Sequence, residues 1–177
     1  MNKLLKILCV LTGMAIFSSA CASQSVQAQP ADADIPAPAI YDVLLGKALG
    51  DQEVADFIAS NDCSPVQQFL FCRPAGMALL FDDDQKVESV ILYPGKDNGF
   101  VAYQGELPFG LKSHDTRAAV ETKLKEQRVG TGVPNEEGSF DHTHCWATYY
   151  AAGMTIIYNS PSASDKGATI HAILVGK

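Results

Sequence analysis

The stretch Phe140–Trp146, FDHTHCW, concentrates an Asp, two His, a Cys and the only Trp of the chain in seven residues. His142 and His144 stand two apart. On a strand, side chains two apart share a face, so these imidazoles are the candidate pair for a His-x-His metal site. The same alternation sends Asp141 and Cys145 to the opposite face. A zinc site needs three or four ligands, so a further one has to come from His114, His171, Glu136 or Glu137. No Cys-x-x-Cys, His-Glu-x-x-His or calcium-loop spacing accompanies the pair. The plainer reading is a polar pair at the start of a strand, and no metal or other cofactor is assigned. Cys145 precedes an aromatic run with no base positioned by motif, and reads as core or disulfide partner rather than nucleophile. G-x-S-x-G, Ser-x-x-Lys and phosphate-binding glycine motifs are missing, so no catalytic residue is assigned and the chain reads as non-enzymatic. Asp82–Asp84 read as a hairpin turn, lacking the spaced ligands of a calcium loop.

The elements that position these residues lie downstream of an N-terminal address. Lys3 and Lys6 precede an apolar run, Ile7–Phe17, and then small residues. This is the form of a secretory signal over residues 1–22, too short for a membrane span of about 20 residues. Two processing routes stay open: cleavage at Ala20–Ala22, or a lipoprotein box Ser18–Cys21 with lipid on Cys21. Residues 23–39, rich in Pro and Ala and without aromatics, read as a disordered linker. The expected location is the periplasm, or the outer membrane through Cys21, and Cys21 is the sole expected membrane contact.

The formal charge is −7, and loss of Lys3 and Lys6 with the signal takes it to −9. That balance opposes nucleic-acid binding and suits a protein partner, in particular a basic one. Of five cysteines, Cys63, Cys72 and Cys145 remain in an oxidising compartment. Two of them pair and the third stays a buried thiol. Cys63–Cys72 closes the shorter loop; Cys72–Cys145 would tie the two halves together.

Residues 40–177 read as one α+β domain with an internal repeat. Pro74–Tyr93 and Ala151–Val175 each hold Ala-Gly-Met, an apolar strand, a polar turn and a second apolar strand. A short aromatic strand precedes each, and a helix precedes that: Val54, Phe57 and Ile58 after Asp51 as cap, and Val120 and Leu124 after Ser113 or Asp115 as cap. The expectation is two tandem units, each a helix plus a three-stranded antiparallel meander, at about 40–93 and 113–177. Together they form one helix-covered antiparallel sheet. On the strand at 169–174, His171 shares a face with Thr169 and Ile173. The connecting loop 94–112 contains an apparent extra strand, Phe100–Gln104. It also holds Phe100, Tyr103 and Phe109, a candidate partner surface.

The segment Leu107–Leu124, the aromatic run Trp146–Tyr150 and the strands from Met154 onward resemble a helix-and-meander unit of the beta-lactamase-inhibitor-like superfamily. That superfamily includes small outer-membrane assembly lipoproteins of the SmpA/OmlA type. Tyr103–Leu111, Y-x-G-x-LP-x-GL, also resembles immunity-like proteins. The resemblance implies a non-enzymatic envelope protein that works by binding another protein. The chain departs from the pattern at the helix exit, LKEQRVGTGVP, which is longer than the usual Leu-Gly-x-Pro.

Overall fold

The computed structural model describes residues 38–176. The signal at 1–22, Cys21 and the linker up to residue 37 lie outside the described residues. Among the described residues, eight short strands, most of them with an apolar face, build one antiparallel sheet. The strands are β1 Ser64–Val66, β2 Phe69–Cys72, β3 Met77–Phe81, β4 Val87–Leu92, β5 Glu136–Ser139, β6 Cys145–Tyr149, β7 Met154–Tyr158 and β8 Ile170–Gly176. Their order across the sheet is β1-β2-β3-β4-β8-β7-β6-β5, so β4 and β8 meet at the centre. Each expected three-stranded run is therefore four strands long. The extra strands β1 and β5 are short and mostly exposed, so they lack the apolar alternation that reveals a half-buried strand.

Among the described residues three α-helices accompany the sheet: α1 Ile40–Leu44, α2 Gln52–Ser60 and α3 Arg117–Glu126. Leu44, Val54, Phe57, Val120 and Leu124 join Leu70, Leu79, Val90, Ile156 and Ile173 in one buried cluster. Each such buried side chain contributes about 1.5–3 kcal/mol relative to exposure. Asp51 is the N-cap residue of α2 as expected, although its carboxylate accepts from the Ala48 amide rather than from the helix. The cap of α3 is Thr116, whose hydroxyl accepts from the Ala119 amide, and neither Ser113 nor Asp115. Asp115 is occupied by the Lys112 amide and the Lys123 ammonium.

Two features break the strand alternation. Leu80 faces Ser89 and Phe81 faces Val87, leaving Glu88 as an extra residue on β4. Ile157 faces Ala172 and Tyr158 faces Ile170, leaving His171 extra on β8. Such bulges re-aim the side chain beside them. Ile170 and Ile173 both enter the helix-side core, while Ala172 lies in a second cluster with Ala78, Ile91 and Phe100. The face assigned to His171 by simple alternation is thus corrected: it opens with Ala172 and Leu174 onto the side away from the helices.

One-turn helices at Arg73–Ala75 and Tyr150–Ala152 precede β3 and β7, each ending on a left-handed glycine, Gly76 (φ 68°) and Gly153 (φ 58°). At Gly76 a Cβ would stand 2.4 Å from the Val101 carbonyl oxygen. The residue is glycine because the 94–112 loop crosses there. That loop donates from Val101 N to Arg73 O and from Tyr103 N to Tyr93 O, but Phe100–Gln104 form no strand.

Cys63 and Cys72 are disulfide-bonded, joining the segment after α2 to the end of β2. A loop this short restrains the unfolded chain by roughly 2–3 kcal/mol. Among the described residues Cys145 is the free thiol, and it is buried. No helix among the described residues is long and apolar enough to cross a membrane.

Candidate functional site

β2 places Phe69 and Phe71 on the sheet face away from the helices and Leu70 and Cys72 in the core. The segment after β4 adds Tyr93 and Phe100. Phe69 and Phe71 stack at 5.7 Å between ring centroids, Phe100 meets Phe71 edge-on at 5.8 Å, and Tyr93 stacks on Phe100 at 4.0 Å. The Arg73 guanidinium lies over Phe71 and Phe100, 5.2 and 5.5 Å from their centroids. A cation held over ring faces is attracted by the ring quadrupole.

These rings wall a mostly apolar cavity of about 480 Å³. His144 and His171 form its polar end, their ring centroids 4.2 Å apart. Phe140, 67% exposed, stands at its mouth. An exposed phenyl beside an apolar hollow is the composition of an interface anchor.

In FDHTHCW, Phe140–His144 form a turn rather than a strand, and Cys145 and Trp146 open β6. Asp141–Thr143 bend between β5 and β6. The Asp141 carboxylate accepts from the Thr143 and His144 amides at 2.6 and 2.7 Å and from the Thr143 hydroxyl at 2.7 Å. An aspartate that bonds the backbone two residues on makes an Asx turn, which competes with strand pairing. These donors hold the Asp141 carboxyl well below the usual carboxylate range, the Thr143 hydroxyl foremost. Alternation therefore does not apply: Asp141 lies against His144, 3.2 Å from its Nδ1, and His142 is exposed. The imidazole that lies against His144 is that of His171. The remaining candidate ligands, His114, Glu136 and Glu137, stand apart from them: His114 and Glu136 are exposed, and Glu137 pairs with Arg117.

His171 is held by a hydrogen bond between Nδ1 and Asn159 Oδ1 at 3.1 Å. The Asn159 amide nitrogen donates to the Ile170 carbonyl, so its oxygen faces the imidazole. Asp97 Oδ2 lies 3.4 Å from His171 Nε2. Burial first, and the neighbouring His144 second, push the His171 pKa below its ordinary value.

The connecting loop does not present one aromatic patch. Phe100 is 6% exposed and belongs to the cavity wall, whereas Tyr103 and Phe109 pack against the helix-side core. Cys145 donates from Sγ to the Ser162 carbonyl at 3.3 Å, and burial pushes its thiol pKa up. A raised thiol pKa is the opposite of what a nucleophile needs. Sequence reasoning missed Asp97, Asn159, Arg73 and Phe140. The i, i+2 aromatics Phe69 and Phe71 carried a signal that could have found the wall. No match was found when the chain was compared with protein-family profiles, with characterised proteins and with solved structures.

Proposed function

We propose that this chain is a non-enzymatic protein of the bacterial envelope that binds another protein through the sheet face away from its helices. Its partner is of the kind met by immunity-like, inhibitor-like or outer-membrane assembly proteins. The observation that carries the reading is Phe140 standing exposed beside the aromatic cavity of Phe69, Phe71, Tyr93 and Phe100. Aromatic anchors around a pocket dominate the energetics of protein interfaces. The charge of −7 supports a basic partner. The N-terminal signal, with or without lipid on Cys21, supports the envelope location, and the resemblance to the beta-lactamase-inhibitor-like superfamily agrees with both.

In this reading the domain is a duplicated helix-and-meander unit. The support is paired: an Ala-Gly-Met that starts on the last residue of each one-turn helix, a bulge at Glu88 and at His171, and isolated bridges Ala48–Lys86 and Thr116–Thr169 ahead of the last strand of each half. Capture from envelope extract with the full mature chain and with its Phe71→Ala, Phe140→Ala variant tests the binding reading. A protein held by the first and lost by the second is expected. One held equally by both overturns the assignment of the face.

A second reading, a small-ligand-binding protein, is favoured by the cavity itself, since about 480 Å³ lies within the usual range of ligand pockets. It would use His144 and His171 rather than His142. Retention of a small organic molecule through native purification, seen by mass spectrometry and lost in Phe71→Trp, separates it from the first.

A further inference from the structure

We propose that His144, His171 and Asp97 form a binding site for a divalent transition-metal ion, with zinc as the reference ion, at the polar end of the aromatic cavity. The proposal is independent of the protein-binding reading. It rests first on how the two imidazoles are held. His144 Nδ1 lies 3.2 Å from the Asp141 carboxylate and 2.7 Å from the Thr143 hydroxyl oxygen. That hydroxyl donates to Asp141, so its oxygen accepts and His144 Nδ1 carries the proton. His171 Nδ1 donates to Asn159 Oδ1. Both rings are thus oriented through Nδ1 by an oxygen acceptor, and each keeps its Nε2 lone pair for a ligand. Metal-binding histidines are held in this way.

The second observation is a distance. Asp97 Oδ2 and His171 Nε2 are 3.4 Å apart. Two zinc ligands at the usual bond lengths and a tetrahedral angle stand about 3.3–3.4 Å apart. An Nε2 lone pair facing a carboxylate is repulsive until a cation lies between them. The third observation is the bulge on β8, which brings His171 to this face when alternation would bury it. His144 completes the set from its turn, its ring 4.2 Å from that of His171. Among the described residues no three ligating side chains converge on one point as they stand, so closure requires His144 to turn toward the ion. Two imidazoles and one carboxylate suit zinc, copper(II) or nickel(II), not calcium or magnesium, and leave a coordination position for water or a partner's side chain.

The test is titration of the full mature chain, stripped with chelator, with zinc chloride, followed by calorimetry. One equivalent bound with Kd below about 10 µM, or −6.8 kcal/mol, is expected. His171→Ala and His144→Ala should each abolish the binding. Asn159→Ala should weaken it about 10-fold or more, because it removes the bond that orients His171 without removing a ligand. His142→Ala and His114→Ala should leave it unchanged. Circular dichroism shows that each variant is folded. No saturation, or saturation that His171→Ala and His144→Ala leave intact, overturns the site. Binding lost instead in His142→Ala overturns it in favour of the adjacent pair.

Discussion

Replacing each of the two left-handed glycines by alanine separates backbone strain from steric support of the cavity. Gly76 and Gly153 follow one-turn helices and have similar φ angles, 68° and 58°. Holding an alanine there costs about 1–2 kcal/mol. At Gly153 nothing lies within 4 Å of an added Cβ, so the cost of Gly153→Ala ends there. At Gly76 the added carbon meets Val101 O at 2.4 Å and Tyr103 N at 2.5 Å, both backbone atoms that cannot rotate away. The loop must lift, stretching the hydrogen bonds to Arg73 O and Tyr93 O and loosening the Tyr93–Phe100 stack. Each hydrogen bond is worth about 0.5–1.5 kcal/mol and the ring pair a similar amount. Gly76→Ala should therefore cost about 3–6 kcal/mol, and it should open the wall that Phe100 forms. Equilibrium urea unfolding with the disulfide intact measures both variants. Equal losses within about 0.5 kcal/mol, or a larger loss at Gly153, would refute the reasoning.

Arg117 is 1% exposed, binds Glu121 through Nε at 3.1 Å and pairs with Glu137 through Nη2, yet Nη1 has no partner among the described residues. Arg117→Met should be neutral or stabilising in thermal unfolding, since it removes a buried charge with an unsatisfied donor. Arg117→Ala should cost about 2–4 kcal/mol, because the hollow stays unfilled. Reduction of Cys63–Cys72 should lower unfolding free energy by roughly 2–3 kcal/mol, measured in urea with and without reductant. Cys145 should resist a thiol reagent at neutral pH until denaturant is added, since it is buried and its thiol pKa is raised. Rapid native labelling would contradict that burial. Burial also raises the pKa of Tyr149 and Tyr158. The folded state therefore keeps protons that the unfolded state releases above pH about 10. Their contribution is full below that pH and is lost as pH rises beyond it, so the urea midpoint should fall on the alkaline side. Tyr158→Phe should flatten that fall.

Strands with one apolar face were legible: β3, β4, β7 and β8 alternate or run apolar, and the helix stripes at Val54/Phe57 and Val120/Leu124 point into the core. The short strands β1 and β5 were not, because their exposed residues carry no burial pattern. FDHTHCW misled for a local reason. Asp141 captures the Thr143 and His144 amides, and a side chain that competes with the ladder cannot be seen in polar spacing alone. His171 misled because a bulge resets the count of alternation, and the bulge depends on the pairing partner. The meeting of Asp97, His144 and His171 comes from three separate segments, and only the sheet order brings them together.

The central claim is that the aromatic face away from the helices receives a protein. Site-specific photo-crosslinking in the envelope tests it most directly, with the reactive side chain placed at Phe140, 67% exposed at the cavity mouth, or at Val133, 62% exposed on the loop after α3. One discrete adduct from position 140, weakened by Phe71→Ala and not formed from position 133, is the predicted result. A discrete adduct from 133 with none from 140 would contradict the account.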